Sequence, residues 1–347
     1  MPEASSIASL NRWARGIAKS VAAHTGGVRL YHRLRDRTVL TVIMLHRVLP
    51  QAMFAELEAD PNYTTSTDVL KGLIAFLRAN YSIIGLPDLL AARRGTRSLP
   101  PHPLLITFDD GWDDNVRHAA PVLAAAGVPW TLFVAAGAVG AGGPWWQESL
   151  LQALRTGRAT YRDMWRMAAA GADDGEEPHD NRELALLNVF GALDSGRRDG
   201  LLAQLGERKI HSDMASWDGL RGLLGANVSI GVHGFSHLPL TMLTDPEQDL
   251  LQARELLRSH LGSDAIISMS FPHGRYDTKV LAAARALGFE LLFTSDAVLN
   301  PCPGGWLDHD TIGRISVEGG WICGDRGEFD SSRAERWLML RKRYLAG

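Results

Sequence analysis

Two cysteines, Cys302 and Cys323, are all that the 347 residues contain. That count rules out a disulfide framework and a cysteine-rich zinc site. The two thiols either form one bridge or stay free. A bound metal would fall to histidines and carboxylates, and 12 histidines are present. No run of about 18 apolar residues occurs, so no transmembrane helix is expected. A secretory leader needs an unbroken apolar core of about 7–15 residues. Lys19 and His24 interrupt the only candidate, which points to a cytoplasmic chain. Strong net charge is missing too: 36 basic against 39 acidic residues give −3. No global field therefore directs the chain to nucleic acid. With 46% hydrophobic and 22% charged residues, disordered and fibrous classes are excluded. The length suits two domains, or one large α/β unit with additions.

What the chain does have is a rhythm. Short apolar runs at 39–45, 103–108, 129–135, 228–232, 266–271, 290–294 and 312–317 read as buried parallel strands. Helical patterns at 67–80, 113–126, 246–261 and 277–287 lie between them, with Asp113 as N-cap and Gly127 as stop for the second. Alternation of this kind predicts an α/β fold, a (β/α) barrel-like parallel sheet. Residues of about 141–227 break the pattern with helical stretches around the acidic turn 171–181, and read as a helical insertion. The division is then a basic N-terminal extension at 1–38, a barrel at 39–330 with the insertion inside it, and a C-terminal helix at 331–347. In the extension Ile7, Leu10, Trp13, Ile17 and Val21 fall near helical spacing with Arg12, Arg15 and Lys19 between them. Such a helix either lies on an anionic membrane surface or packs on the barrel.

Chemistry-bearing residues cluster at the ends of those strands. Thr107-Phe108-Asp109-Asp110-Gly111 ends one. Two adjacent carboxylates are costly if both are buried without partners, and strand alternation would send them in different directions. Taken alone, the string is a common capping turn. His233-Gly234-Phe235-Ser236-His237 ends another, with histidines at i and i+4 that share a face if the segment is helical. Asp110 with His233 and His237 would make two imidazoles and one carboxylate, a set that leaves positions open for water and substrate. Ser270-Phe271-Pro272-His273-Gly274 ends a third strand, where a plain loop with Asp277 capping the next helix is the simpler alternative. His46 ends the first, and a lone histidine there is more often structural. Ends of barrel strands meet on one face, which is where such barrels carry active sites.

Together these motifs resemble the polysaccharide deacetylase family, the NodB-homology or carbohydrate esterase family 4 group. TFDDG at 107–111, HGFSH at 233–237 and SFPHG at 270–274 carry the resemblance. LGFELLFTSD at 287–296 is similar to the family's last core strand. The resemblance implies a distorted (β/α) barrel of about seven strands and removal of acetyl groups from sugars. It implies Asp109 as catalytic base, and Asp110, His233 and His237 as ligands of a divalent metal, zinc first, with iron, cobalt or nickel as alternatives. Pro272 and His273 fall in the turn whose backbone N–H would bind the oxyanion. Many members carry an arginine where Ser270 stands. The third motif resembles the exopolysaccharide and poly-N-acetylglucosamine deacetylase subgroup, whose acid histidine comes from the first strand. His46 matches it, and His309 is the rival. Arg314 is placed with the substrate and oxyanion group, or beside Asp109 in place of the missing arginine. Trp145 either stacks on sugar rings or anchors the insertion.

The implied function is a metal-dependent hydrolase of N-acetyl groups on an N-acetylhexosamine-containing glycan, an exopolysaccharide or its lipid-linked precursor. The basic N-terminal segment would hold it near the membrane. Two alternatives stay open: a hydrolase of a small amide or cyclic imide, and an inactive glycan-binding module.

Overall fold

The structure is a computed structural model that describes residues 27–35, 37–142, 144–169, 182–206, 213–225, 227–262, 266–302, 307, 310–318 and 320–342. The strands are β1 (Val39–Leu45), β2 (Arg47–Leu49), β3 (Thr64–Ser66), β4 (Ser82–Ile84), β5 (Pro103–Phe108), β6 (Trp130–Val134), β7 (Val228–Val232), β8 (Ser268–Ser270), β9 (Leu291–Phe293), β10 (Asn300–Pro301) and β11 (Ile315–Ser316).

The unbroken apolar run of β1 is buried at every position, as expected for a parallel strand covered on both faces. Its side chains alternate between two cores. Leu40 and Val42 point into the barrel interior with Leu105, Phe133 and Phe293. Val39, Ile43 and Leu45 face the surrounding helices. β1 pairs with β5 in parallel from Thr41↔Leu104 to Leu45↔Phe108. From β5 the order runs through β6, β7 and β8 to β9, all parallel. The final segment links the two edges: Ile312 bridges Phe293 of β9, and β11 pairs with β1 as Ile43↔Ile315. The sheet therefore curls into the expected distorted barrel.

Local chemistry fixes the helices between strands. Ser66 accepts from Val69 N–H to cap Thr67–Asn80, Asp245 caps Pro246–Leu261, and Asp277 caps Thr278–Ala286. Gly127 ends its helix at φ 64°, a left-handed position glycine takes without strain. The helix at 113–126 departs from expectation. It opens as a π-helical turn, Asn115–Ala119, and Asp113 pairs with Arg117 instead of capping. The insertion folds as helices Trp146–Arg155, Tyr161–Ala169, Arg182–Gly191, Ser195–Ala203 and Trp217–Leu223. It has its own apolar core of Leu150, Met164, Leu186, Leu187 and Phe190, closed by Leu238. The C-terminal helix runs Ser331–Met339. Residues 1–26 and the acidic turn at 171–181 lie outside the described residues. Among the described residues no helix is long and apolar enough to cross a membrane. Cys302 and Cys323 are free thiols.

Candidate active site

β1, β5, β7 and β8 all end at one cavity of about 400 Å³. His46, Asp109, Asp110, His233, His237 and His273 line it. Both carboxylates of the β5 end are buried, and each has partners. Asp110 takes φ 75°, so the turn, not strand alternation, separates it from Asp109. Its Oδ2 accepts from Trp112 Nε1 at 2.8 Å. Its Oδ1 lies 3.1 Å from His237 Nε2 and 3.4 Å from His233 Nε2. Burial disfavours a charged Asp110, but the two histidines outweigh it and hold the carboxyl well below the usual range.

The histidines do not sit on a helix. HGFSH is a loop with Gly234 at φ 72° and His237 at φ 54°. Asp249, from Pro246–Leu261, accepts from the N–H groups of Phe235 and Ser236 at 2.7 and 3.0 Å. A Cβ at residue 234 would sit 3.1 Å from both Asp249 Oδ1 and Pro272 Cγ. Glycine is thus required for conformation and for space.

The donor set fits a divalent cation. Asp110, His233 and His237 offer ligand atoms all within 4.8 Å of one another. His233 Nδ1 faces the Ser270 carbonyl at 3.0 Å, an acceptor only, so Nδ1 carries a proton, and in the neutral tautomer this leaves Nε2 free for a metal. Burial lowers the pKa of His237, which favours its neutral ring. Both Nε2 atoms face the same Asp110 oxygen, so either protons or a cation must lie between them. Two histidines and one carboxylate match the open-sided sets of catalytic metal sites.

Asp109 stands beside this cluster, 3.9 Å from His233 Nε2. Arg314 grips it with two 2.7 Å bonds, and Ser270 Oγ donates at 3.3 Å. Burial works against the Asp109 anion, yet Arg314 and His233 prevail and lower its pKa. Arg314 is itself fully buried, and it also donates to the Thr294 carbonyl at 2.9 Å. It therefore sits behind Asp109, away from the cavity surface, which is the second of its two expected placements and corrects the one with the substrate and oxyanion group.

His46 is held by Glu318, which takes both the His46 backbone N–H at 2.6 Å and Nδ1 at 2.7 Å. Burial lowers the pKa of this imidazole, but the buried Glu318 carboxylate overrides it and raises the value to about 9. Asn115 Nδ2 bonds the His46 carbonyl at 2.7 Å. Asp114 ties in β2 by accepting from Arg47 Nε and Val48 N–H, both at 2.9 Å. The rival acid His309 lies outside the described residues.

Trp145 takes the anchoring role, one of the two expected of it. Trp145 is 8% exposed, its ring edge-on to Trp112 at 5.2 Å and 4.9 Å from His237. Its backbone N–H donates to Asp213 at 2.7 Å. It packs the insertion onto the site, with little ring left for a sugar. The exposed aromatic ring at the cavity is Tyr63, 54% exposed and 5.1 Å from His46. Pro272 is buried beneath the HGFSH loop. His273, with φ 55°, lines the cavity and braces that loop through Nε2 to the His237 carbonyl at 3.0 Å. Burial drops its pKa to about 3, so the ring donates as a neutral group.

Sequence reasoning missed Glu318, Gln147 and Trp112. A signal existed for Glu318: it lies two steps of strand alternation past Arg314, so both point the same way from the closing segment. Gln147 had none, because its approach depends on how the insertion folds back. Its Oε1 lies 2.7 Å from His237 Nδ1.

The polysaccharide deacetylase family profile matches residues 96–292, more than half of the chain. This protein belongs to the polysaccharide deacetylase family. Solved structures of such deacetylases share its fold. The deacetylase PplD of Streptococcus pyogenes, solved with acetate, has a TM-score of 0.55 at 12% identity over 87% of this chain and 99% of its own. IcaB from Ammonifex degensii gives 0.55 at 20% identity, covering 87% and 97%. A de-N-acetylase from Aggregatibacter actinomycetemcomitans gives 0.53 at 16% identity, covering 81% and 95%. No curated protein matches the chain. For this deacetylase, identities that low speak to the fold alone.

Proposed function

We propose that this polysaccharide deacetylase is a metal-dependent hydrolase that removes N-acetyl groups from an N-acetylhexosamine-containing glycan. The observation that carries the reading is the convergence of Asp109, His46 and the Asp110–His233–His237 cluster on one cavity.

Asp110, His233 and His237 would hold the cation. When bound, a divalent ion polarises the amide carbonyl and lowers the pKa of a neighbouring water. Asp109, kept ionised and aimed by Arg314, accepts the proton of the attacking water. The amide N–H at His273 is the candidate donor for the oxyanion that forms on the former carbonyl oxygen. His46, protonated at neutral pH by its pairing with Glu318, gives its proton to the sugar nitrogen as the carbon–nitrogen bond breaks. Acetate and the free amine leave. Tyr63, beside His46, supplies an apolar ring of the kind that stacks on a sugar face. The expected cytoplasmic and membrane-peripheral placement belongs to this proposal and rests on the sequence of the basic N-terminal extension, residues 1–38.

The test is acetate release from a panel of N-acetylated oligosaccharides, with cyclic imides alongside and each divalent metal added back. Release from the oligosaccharides alone supports the reading. Turnover of imides alone, or glycan binding without acetate, would replace it with one of the two alternatives.

A further inference from the structure

The helical insertion supplies a group to the candidate metal centre itself. Gln147, on the first turn of Trp146–Arg155, is 2% exposed. Its Nε2 faces two backbone carbonyls, Ser236 at 3.1 Å and His237 at 3.4 Å. Carbonyl oxygens only accept, so the NH₂ end of the amide must be the end that faces them. Oε1 is thereby turned to His237 Nδ1 at 2.7 Å. An amide oxygen also only accepts, so the proton of a neutral His237 must be on Nδ1. Its Nε2 lone pair is then left facing Asp110 Oδ1, 3.1 Å away.

We propose that Gln147 is a positioning residue that fixes the tautomer and ring orientation of His237 for metal binding, so the insertion is a structural part of the metal centre. The inference rests on the metal reading of the Asp110–His233–His237 cluster. Trp145, the residue before Gln147's helix, adds a ring contact 4.9 Å from the same histidine. His233 gets its orientation differently, from the Ser270 carbonyl at 3.0 Å on β8. One histidine is thus set by the barrel and the other by the insertion. A partner on the non-ligating nitrogen is the usual way a ligand histidine is oriented, and losing it typically costs 10–100-fold in metal affinity.

The experiment measures Zn²⁺ dissociation constants by chelator competition for the full chain, Gln147→Leu and Leu151→Ala. Leu151 lies on the same helix and lines the cavity. Side-chain ¹⁵N NMR of the metal-free proteins reads the His237 tautomer. Gln147→Leu is expected to weaken Zn²⁺ binding by about 10–100-fold and to shift His237 away from the pure Nδ1–H form. Leu151→Ala is expected to leave both unchanged. Wild-type affinity and an unaltered tautomer in Gln147→Leu overturn the inference while the metal reading stands. Equal weakening in both variants overturns it as well, since the helix would then act only through packing. A wild-type chain without saturable Zn²⁺ binding removes the metal reading and the inference together.

Discussion

Asp109 and Arg314 show how one pair of side chains can decide whether a buried carboxylate is usable. Both are almost wholly shielded from water, where an ion is costly alone and tolerable when paired with good geometry. Removing the guanidinium leaves that charge uncompensated. Arg314→Ala should therefore cost on the order of 3–5 kcal/mol of stability, read by denaturant unfolding, and should raise the Asp109 pKa. Glu318 has the matching role for His46. Burial lowers that imidazole's pKa and Glu318 raises it to about 9. A general acid works only while protonated, so kcat should fall as pH rises through about 9. In Glu318→Gln the opposing charge is gone, burial acts unchecked, and the alkaline limb should move to lower pH. A pH–kcat profile that kept its alkaline limb in this variant would remove Glu318 from the account. Asp109, Asp110, His46, His233 and His237 were legible as candidates because each lies just past an apolar strand, within a recognisable string. Arg314 was legible as a candidate, and its partner follows from contacts 205 residues apart in sequence.

Elements explain the rest of the site. The segment from Ile312 to Glu318 closes the barrel between β9 and β1, and its two charged residues, Arg314 and Glu318, brace Asp109 and His46. The insertion gives the cavity a wall through Gln147, Glu148, Leu151 and Arg155 of its first helix and Leu184 and Leu187 of a later one. Arg155 ties this wall to the stretch between β2 and β3, bonding Glu148 at 2.7 Å and meeting Asp60 at 3.6 Å. The three side chains are only 9–24% exposed. Their effect should show in substrate binding: Arg155→Ala is expected to raise KM for the glycan several-fold with kcat changed less, by steady-state kinetics. The long periodic elements were readable because burial on both faces forces continuous apolar runs. β2, β3 and β4, three residues each, carry too few positions to show any period. The HGFSH pair looked helical by spacing, and only the glycine turn and Asp249 reveal why a loop brings both rings together.

At the scale of the molecule, the first 26 residues and the acidic turn lie outside the described residues, and the barrel with its insertion accounts for the site. A cation held by Asp110, His233 and His237 would bind the folded chain and lack a preformed site in the unfolded one. Binding of that kind adds stability of about 4 kcal/mol when free metal is about 1,000 times the dissociation constant. Zn²⁺ should therefore raise the unfolding midpoint of the chelated protein, and His237→Ala should abolish that rise. The central claim is hydrolysis by Asp109 beside a bound cation. Acetate release from an N-acetylated oligosaccharide, measured for metal-loaded wild type and metal-loaded Asp109→Asn, tests it most directly. The account predicts a loss of about 10²-fold or more in Asp109→Asn, with Zn²⁺ still bound. Undiminished acetate release by Asp109→Asn would contradict it.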